Sequence, residues 1–334
     1  MNRKKAAGFV ASLFLVAAVL VPAAFPGAVQ AQKIELSIAH QAPPTFVYQI
    51  ISEKFKEMLE SKTGDKVKVN IFHSGQLGDQ QTQTLGVMRG TLEMTFTDPN
   101  TTAQFDPRVG IFGAAYLFRD IAQMYRVMDG PVGAGYFDRL ARERGMRPLG
   151  VWYLGTRELN LRDRAVRTPA DMRGVKLRMP NSPSWIAMGR ALGASPTPLG
   201  FGEVYLALKT GVVDGQDNPL PTDKAQKFHE VTKYIILTHH QIGMLWPTIN
   251  ERLWERMPAE YRAWVMQALR AGREHQNKLV LDGEAALIAE FRDVHGMTIV
   301  EPDVEAFRAH AREVYREFES EWGVGVYDRI RAVP

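Results

Sequence analysis

Hydrophobic positions change period repeatedly along the chain, and each change predicts an element. Ile34, Leu36 and Ile38 alternate with Glu35, Ser37 and Ala39, the signature of a strand with one apolar face, closed by His40. Val47, Ile50, Ile51, Phe55, Met58 and Leu59 then recur at spacings of three and four, which predicts a helix with Thr45 as N-cap and Gly64 at its end. Alternation returns over 66–72 through Val67, Val69 and Ile71. Strand, helix and strand in so short a span form a βαβ unit, which calls for a right-handed crossover and a parallel sheet. The same logic predicts a helix capped by Asp79 and running to Arg89, a strand over 92–97 broken by Asp98-Pro99-Asn100, and helices over 121–128 and 132–144. A strand over 148–154 leads into Gly155-Thr156-Arg157. Beyond it lie a strand over 175–179 stopped by Pro180, helices over 184–192 and 203–210, the latter ended by Gly211, and a short strand over 212–214.

Residues 258–294 contain no internal proline, and Tyr261, Trp264, Val265, Ala268, Leu269, His275, Leu279, Ala286 and Phe291 keep a helical spacing. One helix of roughly 50 Å at 1.5 Å per residue is longer than a small domain is wide, so it braces two lobes. The alternative is two helices meeting near Asp282-Gly283. No repeat or low-complexity linker marks a domain border.

The N-terminus reads differently. Arg3, Lys4 and Lys5 precede an apolar stretch over 6–21, then Pro22, Pro26 and Gly27, then Ala28-Val29-Gln30-Ala31. This is the layout of a secretory signal over residues 1–31, cleaved before Gln32. An uncleaved anchor is the rival reading, but the apolar stretch is short for a span needing about 20 residues. A protein that works outside the cytoplasm is expected.

Composition adds exclusions. With 45% hydrophobic and 23% charged residues the chain resembles ordinary globular proteins, and 334 residues suffice for about two domains. The absence of cysteine removes thiolate zinc sites, iron–sulfur clusters, thiol nucleophiles and disulfides. Net charge is +4, but past residue 31 the chain holds 38 basic and 37 acidic side chains, so no broad positive field for nucleic acid is expected.

Catalytic and cofactor motifs are sparse. There is no phosphate-binding loop, and Gly130, Gly133 and Gly135 lack dinucleotide spacing. Ser74 lacks the preceding glycine of a nucleophile elbow. The adjacent His239 and His240 cannot form an i, i+4 zinc pair and read as surface or satisfied core residues. Asp214 and Asp217 lack the ligand ladder of a calcium loop. No cofactor, metal or catalytic residue is expected. What remains is position: in open α/β sheets ligands bind beyond the carboxyl ends of strands, where His40, Asp98, Arg157, Arg178 and Asn218 fall on this assignment. Arg178 alternates with the apolar Leu177 and Met179, and its planar fork suits a carboxylate bidentately. An arginine paired with an acid at a sheet edge is the competing reading, more so for Arg157 with Glu158 beside it. Trp152, Trp185 and Trp246 are either apolar walls of the site or plain core.

The stretch GFGEVYLALKTGVVDGQDNPL, 200–220, following ALGASPTPL from Ala191, resembles the signature of solute-binding proteins of tripartite ATP-independent periplasmic (TRAP) transporters. HSGQLGD at 73–79, GTRE at 155–158, DMRGVKLRMP at 171–180 and AQKFHEV at 225–231 agree in order, so the resemblance covers residues 32–322. It implies an α/β two-lobed periplasmic binding-protein (Venus-flytrap) fold with a long helix spanning both lobes. The first lobe would comprise 32–154 plus 244–283 and the second 155–243 plus 284–334. It also implies that Arg178 grips a carboxylate, that Arg157 and Asn218 assist, with Asp217 where glutamate is usual, and that His40 and Asp98 face the ligand from the first lobe. Trp185 and Trp246 complete the candidate ligand-binding set. A monomer is expected to deliver a small organic anion to membrane permease subunits. The residues favour a hydroxylated monocarboxylate such as a sugar acid or sialic acid, with a C4-dicarboxylate as alternative. A receptor for a membrane signalling partner would look alike in sequence, and a secreted hydrolase is a third reading.

Overall fold

The computed structural model describes residues 33–64 and 66–334, so the expected leader lies outside the described residues. Strand β1 (Ile34–Ala39), helix α1 (Val47–Thr63) and strand β2 (Val67–Phe72) form the expected unit, with β1 and β2 parallel. Gly64 ends α1 in the left-handed conformation at φ 55°, donating its N–H to the Glu60 carbonyl. Thr45 does not cap α1. Phe46 holds the N-cap position without a side-chain hydrogen bond. Asp79 caps α2 (Gln80–Arg89) as expected, accepting from the Thr82 N–H.

Strand β3 (Met94–Thr97) joins β1 in parallel, and Asp98-Pro99-Asn100 opens a short helix α3 (Pro99–Thr102) that Asp98 caps. Helices α4 (Ile121–Met128) and α5 (Pro131–Arg144) follow as expected. The strand expected over 148–154 is instead two strands, β4 (Met146–Pro148) and β5 (Trp152–Leu161), so Gly155-Thr156-Arg157 lies inside β5. Then come β6 (Lys176–Met179), α6 (Pro183–Ala191), β7 (Ser195–Pro198) and α7 (Val204–Thr210). No strand forms at 212–214; pairing begins at Gly215, in β8 (Gly215–Pro219), which runs into α8 (Leu220–Ala225).

Strand β9 (Tyr234–Asn250) is the element least visible in the sequence. It spans 17 residues, nearly all of them buried, so no polar face gives it an alternating pattern. Strand order is β2-β1-β3-β9-β5-β8-β6-β7, with β4 and β10 (Thr298–Val300) paired to β9. Parallel groups on each side are joined by antiparallel β5 and β9. The result is two α/β lobes carried on shared crossing strands. Of four apolar clusters among the described residues, the two largest are one that packs α1, β1 and β2 against Val265, Ala268 and Leu269, and one that gathers the chain around Val151, Leu177, Met188 and Phe307.

After α9 (Glu251–Arg256), α10 (Ala259–Asp293) runs 35 residues without a break, which excludes two helices meeting at Asp282-Gly283. Its buried residues, from Tyr261 through Gly272 and Gln276 to Val280, keep one stripe against α1 and β5, and Gln276 donates to the Tyr153 carbonyl at 3.1 Å. Among the described residues no helix is long and apolar enough to cross a membrane.

The two glycines of α10 predict opposite outcomes. A Cβ at Gly272 would lie 2.8 Å from Ile51 Cγ2, whereas at Gly283 it would meet nothing within 4 Å. Gly272→Leu is expected to destabilise by about 1–3 kcal/mol through overpacking, and Gly283→Ala to stabilise by about 0.5–1 kcal/mol through helix propensity. Denaturant melts of the two variants measure both. Equal changes in the two would mean that the helix does not press on α1.

Candidate functional site

Where the parallel groups meet the crossing strands lies a cavity of about 410 Å³, walled by Arg157 and Arg178, Asn218, Asp98 and Trp185, and by the turn from Leu199 to Glu203. Five of the seven residues singled out from sequence therefore share one cavity.

Arg178 sits in β6, flanked by the fully buried Leu177 and Met179, and is itself 3% exposed. Strand β6 lies between β7 and β8 rather than at an edge. Its Nε and Nη2 donate to the Leu199 carbonyl at 3.0 and 2.8 Å, and its guanidinium lies 5.8 Å from the Phe201 ring centroid. Among the described residues it makes no ion pair, so the competing reading of an acid-paired edge arginine does not hold. Burial pushes its pKa down to about 10, with Asp217 acting against the shift. The side chain stays cationic at neutral pH. One carbonyl takes its Nε–Nη2 edge, and the Nη1–Nη2 edge remains as a second donor pair.

Arg157 is different. Its Nε donates to Asp217 Oδ2 at 2.7 Å, and its Nη2 reaches the Asp217 carbonyl at 2.6 Å and Asn218 Oδ1 at 3.2 Å. The guanidinium lies over the Trp185 ring, 4.5 Å from the centroid. Asp217 Oδ2 also meets His240 Nε2 at 3.1 Å, and His240 Nδ1 meets the Thr238 hydroxyl at 2.8 Å. Burial alone would raise the Asp217 pKa, but the charge of Arg157 and hydrogen bonds from His240 and Arg157 outweigh it and hold the carboxyl well below the usual range. Arg157 is thus already neutralised, and the two arginines are not equivalent.

Asp98 lines the cavity from the other lobe. Its oxygens accept from the Thr101 N–H at 2.9 Å and the Thr101 hydroxyl at 2.7 Å. Burial pushes its pKa up despite those bonds and the charge of Arg157.

His40 and Trp246 do not reach the cavity. His40, 1% exposed, bonds Gln49 Oε1 through Nε2 at 3.0 Å and stands edge-on to Tyr48. Burial brings its pKa down to about 4, so it supplies no charge. Trp246 is core, packed on Phe137 and Phe112 at ring distances of 5.1 and 6.4 Å. Trp152 is core too, against Phe96. Trp185 is both, burying its body while its face holds Arg157 and its Nε1 approaches the Thr101 hydroxyl at 3.4 Å.

Sequence reasoning missed the Leu199 carbonyl and the Phe201 ring that hold Arg178, Tyr48 and Thr222 on the cavity wall, and His240 behind Asp217. A backbone carbonyl has no sequence signal. Phe201 lay within the quoted 200–220 stretch, and His240 within the polar run Thr238-His239-His240-Gln241, where nothing marks which side chain turns inward. Among the described residues no three His, Asp or Glu side chains cluster as a metal site.

Three comparisons bear on this geometry. Residues 38–321 match the model of the bacterial extracellular solute-binding protein family 7. The chain is 31% identical to the sialic acid-binding periplasmic protein of Vibrio cholerae over 89% of this chain and 92% of that one. A TRAP periplasmic solute-binding protein of Roseobacter denitrificans, solved with bound 3-deoxy-D-manno-oct-2-ulosonic acid (KDO), superposes with a TM-score of 0.86 at 34% identity, covering 91% of this chain and all of that one. A second from that organism, with bound L-galactonate, gives 0.83 at 30% identity over 90% of this chain and 99% of that one.

The pKa of His40 fixes the sign of one pH effect. Its unfolded-state value is 6.5 and its folded value about 4, so between those limits only the unfolded chain takes the proton. Wild-type stability should therefore fall relative to His40→Gln as pH drops from about 6.5 towards 4. Urea unfolding of both proteins across that window tests it, and a constant difference between them counts against the assignment.

Proposed function

Because the chain belongs to the bacterial extracellular solute-binding proteins of family 7, we propose that its central cavity captures a hydroxylated monocarboxylate, a sugar acid, between two closing lobes. The protein is a receptor of the TRAP class and not an enzyme. It works in the periplasm and serves membrane permease subunits. Secretion by a cleavable leader over residues 1–31 and a monomeric state complete the proposal.

The carrying observation is Arg178, a buried cation that lines the cavity, keeps donors beyond those given to the Leu199 carbonyl and, among the described residues, forms no ion pair. A carboxylate on that edge forms a charge-assisted, bidentate pair shielded from water, where such a contact is worth more than the ~0 to 1 kcal/mol of an exposed pair. The charge balance favours one carboxylate over two. Arg157 and Asp217 cancel, and Arg157 and Arg178 are the only arginines or lysines on the wall among the described residues, so Arg178 is the one cation there without an ion-pair partner. Exposed Asp79 and Glu203 on the wall add repulsion against a second carboxylate. Gln80, Gln104, Asn181 and Thr222 offer hydrogen bonds to hydroxyl groups, and the Phe46 and Phe201 rings offer faces to carbon. The sugar acids bound by the relatives agree with this chemistry.

Closure would turn on the crossings near 154/155, 243/244 and 283/284, which divide the lobes into 32–154 plus 244–283 and 155–243 plus 284–334. Three features support these borders. Pairing of β5 with β9 shifts register between Tyr153 and Gly155; Gly155, at φ 124°, faces Gly243; and Glu284 of α10 accepts from the Tyr153 hydroxyl at 2.8 Å and the Thr156 N–H at 2.8 Å. A guest touching both lobes has differential affinity for the shut form, which is what shifts such an equilibrium.

A thermal-shift panel of KDO, N-acetylneuraminate, L-galactonate, D-galacturonate and succinate tests the reading. Stabilisation by at least one hydroxylated monoacid and none by succinate is expected; a response to succinate alone refutes it. Arg178→Met should weaken the responding acid by about a hundredfold or more, while the ligand-free midpoint stays level or rises, since a buried cation without an ion-pair partner is costly. A variant that still responds, or that melts far below wild type, removes Arg178 from its assigned role.

A further inference from the structure

Behind the cavity wall four polar side chains form a line of hydrogen bonds with a single sense. Arg157 Nη2 donates to Asn218 Oδ1 at 3.2 Å, Asn218 Nδ2 donates to Gln216 Oε1, and Gln216 Nε2 donates to Asp223 Oδ1 at 2.7 Å. Strand alternation makes this possible: Gln216 and Asn218 are two residues apart on β8 and share a face, while Asp223 enters from the first turn of α8. Asn160, opposite Gln216 on β5, donates to Asp223 Oδ2 at 3.3 Å. Gln216, Asp223 and Asn160 are completely buried, so water cannot replace any of these partners.

The sense of the line decides what the cavity sees. A guanidinium has donors only, so at one end the Asn218 oxygen must face Arg157. At the other end Asp223 receives an N–H from each of two amides. A primary amide turned by 180° occupies nearly the same space, so shape alone does not choose its orientation; the partners do. With both ends fixed, Asn218 keeps its NH₂ group on the Gln216 side. One of its protons goes to Gln216, and the other is left as Asn218 lines the cavity. Turned the other way, it would set a carbonyl oxygen against an anion.

We propose that Asp223 and Gln216 are positioning residues that orient the Asn218 amide so that its second N–H points to the carboxylate of the guest. The proposal deepens the receptor reading of the same site and rests on it. Neither residue lines the cavity, so both act through Asn218. Asp223 has its own requirement: burial drives its carboxyl well above the usual range, against the bonds from Gln216 and Asn160 and the charge of Arg157, so the two amides are its direct partners in offsetting the cost of keeping an acid there.

Two measurements test this, one without any ligand. In the ligand-free protein the side-chain NH₂ resonances of Gln216 and Asn218, assigned by their loss in Gln216→Met and Asn218→Ala, should both move in Asp223→Leu and return towards wild type in Asp223→Asn, whose oxygen still accepts. An Asn218 pair indifferent to Asp223→Leu overturns the proposal whatever the protein binds. In calorimetry with KDO as probe, Asp223→Leu should weaken binding about tenfold, and Asp223→Asn should recover it to within about threefold. The double variant Asp223→Leu with Asn218→Ala should bind no more weakly than Asn218→Ala alone; additive losses would make Asp223 a general structural residue. Should Asp223→Leu not fold, Gln216→Met interrupts the line one step nearer and carries the same expectation. Failure of wild type to bind KDO counts against that acid as the guest and leaves the resonances to decide the orientation.

Discussion

The structure depends on keeping one guanidinium charged inside the protein without giving it an acid. A buried arginine is ordinarily neutralised by a carboxylate, and Arg157, on the wall of the same cavity, shows that arrangement complete with Asp217. Arg178 receives a backbone carbonyl and an aromatic ring instead, partners that orient it without cancelling its charge. Desolvation lowers the pKa of such a group, yet not far enough to discharge it at neutral pH. That unspent electrostatic interaction is what suits the cavity to an anion.

Holding that cation in place falls to the strands of the sheet. Arg178 and Asn218 stand on strands, and Arg157 lies on a strand that crosses between lobes, so the donors are set by sheet register rather than by loop conformation. The other lobe contributes Asp98, fixed by the turn it caps. The two walls differ in kind: one presents cationic donors and the other acceptors and neutral polar groups. That asymmetry suits a molecule with a carboxylate at one end and hydroxyls along the rest. The buried line from Asn218 to Asp223 extends the same strategy one layer back, fixing the direction of a dipole where shape alone would leave it undetermined.

Much of this was legible from the chain and some of it was not, for identifiable reasons. Elements with one wet face announced themselves: α1, α2, α4 and α10 were placed within a few residues by their apolar stripes and terminal residues. Elements buried on both faces did not. Strand β9 carries no alternation, and β5 was cut short because Gly155-Thr156-Arg157 reads as a turn until the neighbouring strands supply pairing partners. His40 and Trp246 illustrate the same limit for side chains. Gln41 lines the cavity while His40 beside it turns against Gln49, and Trp246, two residues past Met244 of the wall, packs among phenylalanines.

The sequence by itself determined the alternating α/β plan, the helical periodicity over 258–294, and the placing of Arg178 between two apolar residues, because periodicity and residue chemistry are local properties; that the long helix is unbroken was decided by the structure. Which arginine stays free of an acid, which carbonyl holds it, and which way an asparagine turns were decided only by tertiary structure. Those outcomes depend on contacts between segments tens of residues apart: Arg157 with Asp217, and Arg178 with Leu199. No local pattern encodes the partner that a buried charge will find, since that partner is chosen by strand register and by the exclusion of water.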